Sequence, residues 1–404
     1  MTGTGLTEQI RAGSQASGLS LLAHHDLGGH GDGFQVIKRG TWLYVAHLGK
    51  SPMALSILDC SDPSAPRLVR QVPHPPKTRC HKVQIVGDVM IQNAEEPYWL
   101  RGKPGPEPMS GMRVFDLSDP TDPREIAFYP AGRRGTHRLW YEQAPYAHIA
   151  SYLPGGRYRS YQILDLSDPA APTPVGSWSV PGTFDDDTDP WPKLADHEHF
   201  GVHSVIPYGD RAYAACMDAG MAILDIRDFT RPSLLGRVDW SPPFGGYVHT
   251  TLPLPERDLV IAVDEALDDE EHIGEKLIWV VDVRDERQPV TIATFPVPRP
   301  PASTGASSYW ELPGRRFGPH NIHENRSGSY VSDTTIFATY FKAGLRVYDI
   351  SDKFRPEEIA FFVPPAPAGQ PGPLFNDLYV DTDGIVYVTD RELGGLYVLR
   401  YDGP

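Results

Sequence analysis

Five histidines stand at one repeated position of this 404-residue chain: His81 in RCHKVQI, His137 in GTHRLW, His203 in GVHSVI, His249 in YVHTTL and His320 in GPHNIH. With 15 histidines in all, chance would put well under one at this position across the repeats, so five call for a shared cause. Asn376 takes the place near the C-terminus, and approximately Phe34 takes it near the N-terminus, with His30 a few residues earlier. Imidazole is the commonest protein ligand for borderline divalent metals, so such a set fits a mononuclear metal site with Fe(II) as first choice, then Zn(II) or Mn(II). The competing explanation is structural: each histidine hydrogen-bonds the neighbouring repeat or channel water.

A second register lies where the next strand should end: His47, Glu95, Tyr152, Asp218, Glu265, Lys342 and Arg391. Of these, Glu265 and Asp218 suit a general base or the orientation of a ligand histidine. Lys342 and Arg391 suit an anionic substrate group. His197, His199 and His323 are near enough in sequence to compete as ligands. Yet HEHFGVH and HNIHE are not HExxH, and a strand or loop would not set both histidines on one helical face. The three cysteines, Cys60, Cys80 and Cys216, lack CxxC spacing and are expected as buried free thiols, with metal ligation by Cys80 beside His81 as the minor alternative.

These positions belong to a repeat. One phrase occurs as ALSILDCSDPSAP, GMRVFDLSDPTDP, RSYQILDLSDPAAP, GMAILDIRDFTRP, LIWVVDVRDERQP and GLRVYDISDKFRP, with Asp59, Asp116, Asp165, Asp225, Asp282 and Asp349 at its turn. A degenerate copy, GLYVLRYDGP, ends the chain. Each phrase is a strand running into an Asp-rich turn, where the carboxylates cap the turn rather than catalyse. With the strands upstream and the one opened by the proline, a repeat makes four strands, and its period of roughly fifty to sixty-five residues suits a four-stranded propeller blade. The last repeat stops one strand short, and LSLLAHHDL from Leu19 supplies that strand.

The expectation is therefore an all-β, seven-bladed β-propeller over residues 19–404. Its last blade would combine 373–401 with strand 19–27, closing the ring, and residues 1–18 would be a flexible segment. The phrase resembles the LVIVD-repeat family, propellers whose repeats read approximately V-x-G-x-x-A-Y-V-A … G-L-x-V-I-D-V-S-D-P, and GDRAYAACMDAGMAILDIRD is its clearest copy. That resemblance implies the fold and names no activity. In a propeller, the first residues of the innermost strands converge on the axis, which gives the histidines their shared cause. An axial metal site of this kind is similar in position to the iron of carotenoid-cleavage oxygenases, whose sequence signatures this chain lacks.

The long insertions, from Asn93, Val180, Asp264 and Pro298, are expected on the same face and carry Tyr98, Trp99, Trp191, Tyr309 and Trp310. Such loops form a site or its lid, and such rings suit a pocket wall or the propeller rim. A formal charge of −15 argues against a nucleic-acid or anionic-membrane surface, and no run of eighteen apolar residues or secretory leader is visible. A cytoplasmic location follows as an expectation. No P-loop, Rossmann fingerprint or G-x-S-x-G elbow is present. The functional expectation is a metal-dependent enzyme acting on a small aromatic or anionic molecule, as an Fe(II) oxygenase or oxidase. Its alternatives are a Lewis-acid lyase, isomerase or hydrolase, and a non-enzymatic propeller scaffold for protein interaction.

Overall fold

The computed structural model describes residues 3–132, 134–188, 191, 199–267 and 275–403. Among these residues, the strands form four four-stranded sheets and one of twelve strands. The twelve divide into three antiparallel groups of four, joined only by the pairs Arg159↔Gly201 and Met217↔Val248. The clearest group is Phe200–Tyr208, Arg211–Met217, Met221–Asp225 and Ser233–Val238. Its middle strands are apolar on both sides and buried, whereas its fourth strand is half exposed.

That gradient follows from how the sheets stack. Each lays one face on the next: Ile37, Tyr44 and Ile57 meet Val83, Met90 and Phe115, and Tyr213 and Ile223 meet Val260 and Trp279. Full burial of each such Val, Ile or Leu contributes about 1.5–3 kcal/mol. The last sheet packs on the first through Leu396 and Val398 against Val36 and Val45. Outer strands carry a register shift against their neighbours, as at Ile163/Leu164, Ile223/Leu224 and Val347/Tyr348. Such bulges twist an exposed edge away from pairing with another chain.

The repeated aspartates cap their turns. Asp59, Asp116, Asp165, Asp225, Asp282 and Asp349 each accept a hydrogen bond from the backbone N–H two residues on, at 2.7–3.1 Å. The next aspartate along does the same at Asp62, Asp119, Asp168, Asp228, Asp285 and Asp352. All twelve are consumed locally.

Leu19–His25 pairs antiparallel with Leu396–Tyr401, in a sheet completed by Phe375–Val380 and Ile385–Asp390. The segment before it departs from the expected flexible 1–18: Gly3–Gly13 is an α-helix and Gln15–Ser17 a short strand. Ile10 is buried with Leu19, Leu21 and Phe362, and Arg11 donates to the Leu21 carbonyl at 2.9 Å, which gives this stretch an apolar and a polar anchor. Gln15–Ser17 pairs on the outer edge of the sheet Thr335–Thr339, Leu345–Asp349, Glu357–Val363. At the inner edge of that sheet, His320–His323 forms no regular strand. It bonds alongside Phe337 and Thr339 through backbone contacts of 2.8–2.9 Å.

Candidate metal centre and cavity

The histidines are aimed by a recurrent irregularity. Three of the innermost strands carry extra residues near their start: the pairing slips between Thr136 and Arg138, between Phe200 and Ser204, and between Val248 and Thr250. His137, His203 and His249 occupy these slips, and Asn376 sits in the equivalent one between Phe375 and Asp377. A bulge re-aims the side chain it carries.

The rings consequently meet in a circuit. Centroids of His81 and His137 are 5.1 Å apart, His137 and His203 4.7 Å, His203 and His249 4.1 Å, and His249 and His320 4.4 Å. Phe34 completes it, 6.2 Å from His320 and 4.8 Å from His81. Asn376 supports the join by donating to the Phe34 carbonyl at 2.9 Å. Two compact sets of possible donors emerge, His81–Glu95–His137 and His203–His249–Glu265, with ligand atoms within 4.8 Å of one another in each.

Hydrogen bonding fixes where the lone pairs point. His203 Nδ1 faces the His249 carbonyl at 2.8 Å, which can only accept, so Nδ1 carries the proton. His137 Nδ1 lies 3.0 Å from a Glu95 oxygen. Burial alone would raise the Glu95 carboxyl, but its partner Arg79 and His137 outweigh this and hold it ionised, well below the usual carboxylate range. It too accepts, and His137 Nδ1 carries the proton. Both Nε2 atoms are then bare, and they face each other at 3.0 Å. Burial, ahead of repulsion from neighbouring cations and imidazoles, pushes His137 down to about 3 and His203 well below its ordinary value, so neither gains a proton at neutral pH. Two lone pairs in this arrangement repel unless a cation lies between them. A divalent ion held by both rings would take up these two lone pairs.

Neighbouring atoms fit the same pattern. His320 Nδ1 donates to the Asn376 carbonyl at 2.6 Å, leaving Nε2 bare at 3.5 Å from Glu265 Oε1. His249 Nε2 is 3.9 Å from Glu265 Oε2. His81 departs from the pattern: Asn93, whose Oδ1 accepts from Lys82 N, donates to His81 Nδ1 at 3.1 Å, so the proton sits on the buried Nε2, which has no partner. The ring opens on a cavity of about 570 Å³, walled by Tyr98, Tyr152, Tyr158, Tyr247 and cationic side chains.

Of the four expected catalytic residues, the structure brings Glu265 and Arg391 to this cavity, and Asp218 and Lys342 do not line it. Asp218 accepts from Tyr247 N at 2.9 Å, and Lys342 donates to Leu312 O at 3.2 Å beneath the Trp310 ring. The backbone explains the split. Met217 and Phe341, which precede them, have φ of 54° and 40°, a left-handed turn that sends their own side chains inward in place of the next residue. Met217 lines the cavity, and the Phe341 ring lies 4.9 Å from His320. His199 also lines the cavity. His47 is sealed between Asp32 and Ser56, His323 bonds the Tyr330 carbonyl, and His197 lies outside the described residues.

Among the loop aromatics, Tyr98 borders the cavity, while Trp99 lies under Arg79. Trp191 packs on Arg237, Tyr309 bonds Arg346, and Trp310 packs on Phe317. The three cysteines are buried free thiols, pushed up by burial. Cys80 belongs to neither donor set. Sequence reasoning missed the arginines Arg79, Arg101, Arg134, Arg157, Arg159 and Arg316, which lie at or beside the loops and occupy no common repeat position. The density of arginine in RYR at 157–159 and in GRR at 132–134 and 314–316 was the available signal.

No helix among the described residues is long and apolar enough to cross a membrane. The LVIVD repeat model matches residues 30–73 and 202–240. No curated protein sequence matches the chain. Among solved structures, that of U3-55K is similar at a TM-score of 0.58 and 9% identity, covering 95% of this chain and 98% of that one. The WD40 β-propeller domain of Doa1 is similar at 0.56 and 9%, covering 96% and 97%. A functionally unknown protein from Desulfotomaculum acetoxidans is similar at 0.51 and 12%, covering 91% and 89%. With these likenesses at the level of the fold and the repeats found within the sequence, the chain is an all-β protein of β-propeller fold that carries LVIVD repeats.

Proposed function

We propose that the four separate sheets and the three groups of the largest one are seven blades of a closed propeller, and that the chain is a metal-dependent enzyme acting on a small molecule at its axial mouth. Closure is supported by the pairing of Leu19–His25 with Leu396–Tyr401 and by the unbroken circuit of six rings. The single observation that carries the metal reading is the pair of bare Nε2 atoms on His137 and His203, 3.0 Å apart. His81, His249, His320 and Glu265 are the further candidate ligands. The set His203–His249–Glu265 has two histidines and one carboxylate, the combination that non-haem Fe(II) sites use, which keeps Fe(II) first and Zn(II) or Mn(II) after it. A metal there would polarise an oxygen of a bound molecule or activate dioxygen. Glu265, between His320 and the guanidinium of Arg391, would serve as ligand or as base.

The second reading is a non-enzymatic interaction propeller. It is supported by the likeness of fold to a chain from the mitotic checkpoint complex, at a TM-score of 0.55 and 10% identity. An apolar groove of about 480 Å³ at the far ends of the same inner strands, with Tyr208 and Val331 exposed beside it, also supports it.

Metal analysis of untagged protein purified without chelator, beside His203→Ala, separates the two. Near-stoichiometric metal that the variant loses supports the metal centre. Protein that stays metal-free after anaerobic reconstitution with Fe(II), Mn(II) or Zn(II) overturns it in favour of the scaffold.

A further inference from the structure

The cavity reverses the charge of the chain that builds it. The whole sequence has 37 lysines and arginines against 52 acids, yet eight cationic side chains and two carboxylates line this one space. Both carboxylates are already matched: Glu95 by Arg79, and Glu265 by Arg316 at 3.5 Å and Arg391 at 3.8 Å. The remaining positive charge is focused in a concave, partly dry site, where it attracts anions far more strongly than on an open surface.

The excess charge has two poles. At the inner one, Arg391 is 8% exposed, and its Nη1 is buried with no hydrogen-bond acceptor. The guanidinium lies over the Phe34 ring at 4.9 Å, so its apolar face is covered while a donor is left unused. A buried donor of this kind is destabilising until an acceptor reaches it. At the outer pole, Arg101 is solvent-exposed and Arg134 half-buried. Both guanidiniums border the same cavity. Among the described residues no carboxylate forms an ion pair with either.

We infer that the cavity takes a small organic molecule with at least two anionic groups, carboxylate or phosphate, one held by Arg391 and Arg316 beside the histidine ring and the other by Arg101 and Arg134 at the rim. This deepens the small-molecule reading given above and settles its choice between aromatic and anionic in favour of the latter. It requires the cavity and not the metal. The tyrosines of the wall supply hydroxyl donors and the flanks of the molecule's carbon frame.

Calorimetric titration of the full chain, stripped of metal and then freed of chelator, tests this with three probes: succinate, pyrophosphate and benzyl alcohol. The expected result is saturable, salt-sensitive binding of a dianion, weakened about tenfold or more by Arg391→Gln, the value of one charge-assisted hydrogen bond. Arg101→Gln, at an exposed position that does not endanger folding, should weaken it in the same direction. Whichever of succinate and pyrophosphate binds more tightly identifies the carboxylate or the phosphate class. Benzyl alcohol binding as tightly as both dianions, or dianion affinity untouched in both variants, overturns the inference. So does the absence of any dianion binding, and a chain that still holds stoichiometric metal in that case leaves the metal reading standing.

Discussion

Two sets of residues recur at fixed places in this repeat, and they end in opposite conditions. The turn aspartates meet partners inside their own repeat, two residues away, so each copy's backbone bond is made whatever its neighbours do, and Asp282 adds Lys353 from another repeat. The inner-strand histidines meet partners from other repeats: His137 meets His203 across 66 residues, and His320 meets Asn376 across 56. They reach one small volume and leave bare nitrogens in it. A repeated residue whose needs are met locally maintains the fold, whereas one whose needs converge with those of its copies builds a site.

The largest effect should come from breaking the convergent set. His137→Ala should lower metal affinity by more than the 10–100-fold typical of losing an orienting partner, because it removes a ligand atom. Equilibrium dialysis against the metal checks this. Asp116→Ala, run beside it, should leave the metal unchanged. Equal loss in both would erase the distinction.

The next effect separates the two sets by pH. Burial pushes His81, His203, His249 and His320 well below their ordinary value and His137 to about 3. Unfolded imidazoles take up protons below about pH 6.5 and the folded ones do not, so stability of the metal-free protein is full above that pH and falls progressively toward pH 3. The turn aspartates Asp59, Asp116 and Asp165 are depressed by hydrogen bonds from the residue two along, and their contribution, present above about pH 4, is lost only as pH falls through their lowered values. Urea unfolding of metal-free protein between pH 8 and pH 4 should therefore show a midpoint that drops well before the carboxylates titrate. Asp264 and Asp377, pushed up by burial to about 7 and about 6, work in the opposite sense over the same range, and a midpoint that rises from pH 8 to pH 5 would contradict the histidine assignment.

The smallest effect belongs to one turn. Asp282 accepts from Arg284 N at 3.1 Å and from Lys353 Nζ at 3.2 Å, so Asp282→Ala should cost about 1 kcal/mol of stability and leave metal binding intact. A denaturation midpoint and a metal assay on one sample measure both.

The same contrast explains what the sequence disclosed. The aspartates and histidines were legible because a repeat prints its pattern several times, and the strand order, the turn chemistry and the histidine register all follow from that. Glu265 and Arg391 were legible by register, but Asp218 and Lys342 share their place and face elsewhere. The left-handed backbone at Met217 and Phe341 carries no signature in residue type, since neither is a glycine or an asparagine. The arginines of the cavity were invisible to repeat logic because different segments supply them one or two at a time. Irregular pairing at His320–His323 escaped notice for a related reason: its backbone bonds are those of a strand, but they are too few and too uneven to print an alternation.

The order of synthesis gives the terminal pairing a further meaning. The bond from His24 to the Gly394 carbonyl spans 370 residues, and ribosomes add about 5–20 residues per second. Leu19–His25 therefore emerges about 20 to 75 seconds before the strand it pairs with exists. Through that interval its apolar side chains, Leu19, Leu21 and Ala23, have no final partner. Ile10 of the adjoining helix shares the cluster of Leu19 and Leu21 and can cover part of that surface before the chain is complete. A segment that clasps the finished molecule thus spends its first moments as a loose end in need of a chaperone, and the helix beside it is placed to act as one.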